Sequence, residues 1–113
     1  MVIEKGVFKF NGKAIKLKGV NRHDSDPYTG TVCDMDHMLR DLYIMKQHNV
    51  NMVSTSHYPN DPRFLGLCDK LGFYVCDEAD IETHGMQFVG NWDEFTDSPD
   101  WSESYLDRGE RML

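Results

Sequence analysis

The chain has 113 residues, 40% of them apolar, 12% aromatic and 27% charged, which is ordinary globular composition for one small domain or part of a larger one. Nineteen acidic against 12 basic residues leave a net charge of −7, and a phosphate-backbone binder would instead need a basic face. No apolar run approaches the roughly 18 residues of a membrane span, so neither nucleic acid nor a membrane is expected as a partner.

The opening MVIEKGVFKF alternates acids, bases and apolar residues, unlike a signal peptide. Phe8-Lys9-Phe10, Asn11-Gly12 and Lys13-Ala14-Ile15-Lys16-Leu17 form a hairpin signal, because Asn-Gly supplies the two positive-φ positions of a type I′ turn. The second arm is expected to run on into a strand, Gly19 to His23, that ends in polar groups. Asp24 to Thr31, with Pro27 and Gly30, reads as loop. Met35, Met38, Leu39, Leu42 and Met45 carry the i, i+3, i+4, i+7 spacing of an amphipathic helix, capped by Asp34 or Asp36 and closed at Asn49.

Val50 to Thr55 is a short apolar strand followed by the polar stretch Ser56 to Asn60. Asp61-Pro62 opens a second helix with Asp at the N-cap and Pro in the first turn. Phe64, Leu65, Leu67 and Cys68 give it an apolar face, and Gly72 ends it. Phe73 to Cys76 is the third strand, leading into DEADIETHG at 77–85. A loop over Met86 to Asp97 reaches Ser98-Pro99, a second cap-plus-proline start, and a last helix over about 99–113. Cys33, Cys68 and Cys76 are odd in number and lack a Cys-x-x-Cys pair, which fits reduced, buried thiols in a cytoplasmic protein.

Strands alternating with helices imply βαβ units and a parallel sheet. Asn21-Arg22-His23, Ser56-His57-Tyr58 and Glu78 to His84 each follow the C-terminal end of a strand, the edge where α/β sheets and barrels bind ligands. Taken singly, each histidine is a half-buried imidazole satisfied by backbone, and the acids are a solvated rim. Three clusters in register favour a site, because a rim needs no repeated histidine. Glu82 and His84, two apart in an extended segment, would point to one side together with Glu78 and Asp80. A carboxylate and an imidazole converging in this way can hold a divalent cation. Mostly oxygen donors favour Mg²⁺ or Mn²⁺, and a third carboxylate must come from elsewhere.

GVNRHD at 19–24, MKQHNVN at 45–51, SHYPND at 56–61, LCDKLGFYVCDEADIETHGM at 67–86 and DSPDW at 97–101 together closely resemble the start of a catalytic barrel. That barrel is the one found in glycoside hydrolase family 2, and IETHG with GVNRH points to its β-galactosidase branch rather than to glucuronidases or mannosidases. The resemblance implies an α/β fold, residues 1–113 being a β-hairpin and about three βα units of a (β/α)8 TIM barrel. It implies that Glu82 and His84 are magnesium ligands, that His23 and His57 line the galactose subsite, and that Glu78 supports them without being a catalyst. In the family the third metal ligand is the acid/base glutamate of an Asn-Glu pair, on the strand after the last helix here, and the nucleophile lies further on. No catalytic carboxylate is therefore expected within the chain.

Two departures stand out. Ser54 occupies a position where the family usually has arginine, and Met86 to Asp97 is a few residues longer than usual. The implied partners are a β-galactoside, the remainder of a longer polypeptide and, for the full-length protein, further copies of itself. The segment alone is expected to be inactive and to fold poorly or associate through an open strand edge. A competing reading makes it a non-catalytic sugar-binding or complementing piece of a barrel. A metal-dependent hydrolase of another barrel family would need more strand-end histidines than His23, His57 and His84.

Overall fold

The computed structural model describes residues 1–113. Three strands at the start, β1 (Val2–Glu4), β2 (Val7–Phe10) and β3 (Lys13–Ala14), form an antiparallel sheet in that order. The expected hairpin is present: Phe10 pairs with Lys13 across Asn11 and Gly12, at φ +48° and +77°. Lys5-Gly6 makes a second such turn, at φ +50° and +75°, and adds the strand β1 that sequence reading missed.

The second hairpin arm does not run on into the next strand. β3 stops at Ala14, and β4 (Gly19–Asn21) belongs to a separate sheet. Asn51 holds the intervening segment, its Oδ1 accepting from Lys18 N at 2.7 Å and its Nδ2 donating to Lys16 O at 3.0 Å. That side chain satisfies backbone groups that no strand pairs.

β4, β5 (Met52–Ser54) and β6 (Tyr74–Cys76) form the second sheet, parallel and in chain order, with α1 (Met35–Gln47) and α2 (Pro62–Leu71) as the crossovers. Asp34 caps α1, accepting from His37 N at 2.8 Å, and Asn49 closes it at φ +59°. Gly72, at φ +69°, ends α2 in the left-handed conformation that glycine adopts without a Cβ penalty. Val53, fully buried, joins Met38, Leu42, Phe64, Leu67 and Phe73 in the core between helices and sheet. Cys33 and Cys68 are buried as expected, whereas Cys76 is exposed; burial pushes the Cys68 thiol up to about 11.

Strand periodicity turns the neighbours of Val53 to the sheet's other face. The pairing puts Gly19, Met52 and Tyr74 in one row across that face and Asn21, Ser54 and Cys76 in the next. A Cβ on Gly19 would stand 2.5 Å from Met52 Sδ, so the small residue makes room for the large one. No helix covers this face. Only 12 of 113 residues are buried, and the radius of gyration is 16.7 Å, against about 13 Å for a compact domain of this length.

The region after β6 departs from expectation. The supposed loop contains a 3₁₀ helix, His84–Val89, and the last helix, α3 (Ser102–Met112), is entered through a 3₁₀ turn at Pro99–Trp101. Ser98 makes no side-chain cap bond there.

Asp61, by contrast, caps α2 as predicted, accepting from Arg63 N at 2.8 Å. The Arg63 guanidinium and this backbone N–H hold its carboxyl at about 2. A depressed carboxyl stabilises the fold fully above its unfolded value near 4 and loses that contribution as pH falls through about 2. Asp61→Asn is therefore expected to lower the unfolding midpoint at pH 7, with the difference from the parent shrinking steadily below pH ~4. Thermal scans from pH 7 to 2 check this, and a difference that stays constant would refute it.

Candidate functional site

The three strand-end clusters meet because one buried cation ties two of them together. Arg22, the first residue after β4, is buried and stacked over the Phe64 ring at 4.0 Å. Its Nε donates to Asp41 at 2.9 Å, and its Nη1 donates to Asn60 Oδ1 at 3.0 Å and to Asp24. Burial lowers the guanidinium pKa, but the bonds to Asp24 and Asp41 more than offset this, so it stays charged. Asp24 in turn accepts from Asp61 N at 2.8 Å, while its own N–H donates to the Tyr58 hydroxyl at 3.1 Å. The Asn21–Asp24 and Ser56–Asp61 stretches are thus locked to each other.

His23, between Arg22 and Asp24, is consequently fixed beside the second cluster. Its ring lies 5.7 Å from that of His57, edge to face, and 5.9 Å from Tyr58. The Ser56–His57 peptide is cis.

The third cluster is joined through Thr55, which is fully buried. Its hydroxyl donates to Asp77 Oδ1 at 3.0 Å and accepts from Glu78 N at 2.8 Å, fixing the chain as it leaves β6. His57 Nδ1 then meets Glu78 Oε2 at 3.2 Å and Glu82 Oε2 at 3.5 Å. Ser54 donates to Glu78 Oε1. This hydroxyl, followed by His57, holds the Glu78 carboxyl below the usual range, so it stays ionised at neutral pH.

Four of the five predicted residues, His23, His57, Glu78 and Glu82, therefore form one contiguous group. His84 is turned differently. The segment is not extended: Ile81 N bonds to Ala79 O at 2.8 Å, and Thr83 enters the 3₁₀ helix at φ −117°, ψ 8°. With strand pairing ended at Cys76, two-residue alternation no longer governs direction. Glu82 Oε1 accepts from His84 N at 2.7 Å, while the His84 ring contacts Gln87 and lies 6.0 and 6.5 Å from Phe88 and Trp92. No three His, Cys, Asp or Glu side chains converge as a metal cage. The chain alone therefore holds no self-contained cation site; Glu82 and His84 would need further ligands, and a turn of the His84 ring, to share one.

Sequence reading missed Arg22, Thr55 and the role of Asp24. A hint lay in Arg22 and Asp24 flanking a strand-end histidine, since a carboxylate two residues away can balance a buried guanidinium.

A parallel sheet with crossover helices, presenting imidazoles and carboxylates beyond its strand ends, is the layout of an α/β barrel enzyme. The family model "Glycosyl hydrolases family 2, TIM barrel domain" matches residues 1–113. Beta-galactosidases of Yersinia enterocolitica and Yersinia pseudotuberculosis serotype O:1b are 48% and 47% identical over the whole chain. The chain spans 10% of the length of each of these relatives. Among solved structures, a GH2 beta-galacturonidase from Eisenbergiella tayi, bound to glycerol, aligns with TM-score 0.56 and 40% identity over 57% of this chain and 12% of its own. Bifidobacterium dentium beta-glucuronidase, complexed with coumarin-3-O-glucuronide, aligns with TM-score 0.66 and 28% identity over 68% and 12%. The chain belongs to glycosyl hydrolase family 2, as a segment of its TIM barrel domain.

Proposed function

We propose that this segment serves a retaining β-galactosidase, as the β4–α1, β5–α2 and β6–α3 units of its catalytic barrel. Its two rows of small and large residues on the sheet face that no helix covers suit the layered interior of such a barrel. Arg22 is buried and paired with Asp24 and Asp41, and Arg108, which lines a cleft with Glu82, bonds to Asp80, leaving Glu78 and Glu82 beside His57 to set the charge. That observation carries the reading. A uronic acid would bring a carboxylate needing a free guanidinium or ammonium, whereas a neutral galactoside needs hydroxyl partners such as His23 and His57.

Retention of configuration uses two carboxyl groups roughly 5–5.5 Å apart with the anomeric carbon between them. Glu78 and Glu82 do not serve, because both reach the same nitrogen of His57 and no sugar fits between them. The acid/base and the nucleophile are assigned to other parts of the intact hydrolase. Glu82 and His84 would hold Mg²⁺, or Mn²⁺, with a third ligand from outside this segment, and the cation would supply positive charge to the site.

The intact enzyme, assayed on matched aryl galactoside and aryl glucuronide, is expected to prefer the galactoside in kcat/KM by at least about 100-fold, the scale of one well-used polar recognition group. The 113 residues alone should show no turnover. Preference for the glucuronide, or hydrolysis by the isolated segment, would overturn the proposal. Calorimetric titration with Mg²⁺ tests the cation: Glu82→Gln is expected to weaken binding, and unchanged affinity would exclude Glu82 as a ligand.

A further inference from the structure

We infer that Ser54 is a positioning residue, whose hydroxyl acts through Glu78 to fix the sugar-facing ring of His57. The inference rests on the reading of His57 given above. Ser54 closes β5 on the sheet face that no helix covers, one residue before the buried Thr55. From there its hydroxyl reaches across to the carboxylate that follows β6.

Glu78 is gripped at three points. Its backbone N–H donates to Thr55 Oγ1 at 2.8 Å, Oε1 accepts from Ser54, and Oε2 accepts from His57 Nδ1 at 3.2 Å. The Glu78 carboxylate only accepts, so the His57 ring nitrogen that faces it carries the proton. Nε2 is then the nitrogen free to meet a substrate hydroxyl, with its tautomer already chosen. The His57 side chain is 44% exposed, and its ring packs edge to face against His23, a contact that leaves the choice of ring nitrogen to the carboxylates. Its orientation depends on Glu78, and the orientation of Glu78 depends on Ser54. Removing the hydroxyl leaves Oε1 to water and lets the carboxylate rotate. The depressed Glu78 carboxyl agrees with this chain of contacts, Ser54 being its largest cause.

Partners that orient a functional imidazole commonly matter by 10- to 100-fold. In the intact enzyme Ser54→Ala is expected to lower kcat and kcat/KM for an aryl galactoside together by about tenfold, the mark of an interaction realised in the transition state. Ser54→Thr keeps the hydroxyl and should restore most of the loss. In a His57→Phe background Ser54→Ala should add nothing, since the two act through one contact. Equal losses in both backgrounds, or Thr no better than Ala, would overturn the inference. A crystal structure of the intact Ser54→Ala enzyme gives a readout independent of turnover: Glu78 and the His57 ring should leave their parental positions, and an unmoved ring refutes the inference. Full activity in His57→Phe would instead sink the functional reading, leaving the crystallographic comparison to decide the role of Ser54.

Discussion

Arg22→Met is expected to destabilise the intact protein by about 3–5 kcal/mol, the usual cost of removing one partner from a buried ion pair. Methionine matches much of the arginine stem and keeps contact with the Phe64 ring, so lost packing contributes little. What remains is a charge problem. The Asp24 side chain is only 12% exposed, and it would face the interior with no cation beside it. Asn60, itself buried, loses the donor to its Oδ1. Urea unfolding, or thermal inactivation half-life where unfolding is irreversible, measures the loss. Arg22→Met combined with Asp24→Asn should be more stable than Arg22→Met alone, because the stranded charge is gone. An Arg22→Met protein as stable as the parent would show that the guanidinium does not fasten the strand ends together.

That network also marks the boundary of what the sequence could reveal. Helix starts and stops were legible because capping is local: Asp61-Pro62 and Gly72 carry their own geometry, and each occupies the expected position. The convergence of His23, His57, Glu78 and Glu82 was legible because strand ends fix direction for a residue or two. Arg22 was not, since nothing along the chain distinguishes the one basic side chain whose partners, Asp41 and Asn60, lie 19 and 38 residues away. The direction of the His84 side chain was misjudged for a different reason. Period-two alternation requires a paired strand, and pairing ends at Cys76, so the backbone is free to coil into a 3₁₀ helix. Strand β1 was missed because its turn, Lys5-Gly6, lacks the asparagine that advertised the next one.

His57→Phe in the intact enzyme is expected to reduce kcat/KM for an aryl galactoside by about 10²- to 10³-fold, the scale of losing one preorganised donor or acceptor at a reacting centre. Phenylalanine keeps an aromatic ring beside His23 while both nitrogens disappear. Folding should be little affected: the side chain is 44% exposed, and Glu78 and Glu82, at 33% and 42%, can turn to water for the hydrogen bond they lose. The unfolding midpoint is thus the control that separates chemistry from collapse. Glu78→Gln makes the complementary change, keeping shape and an acceptor oxygen while removing the charge that favours the proton on Nδ1. Its effect should be smaller than that of His57→Phe and should vanish in the double variant, since both act on one nitrogen of one ring. A His57→Phe enzyme with an unchanged midpoint and less than a threefold drop in kcat/KM, well short of the roughly hundredfold expected, would remove His57 from the sugar site and leave the cluster a structural tie between strand ends.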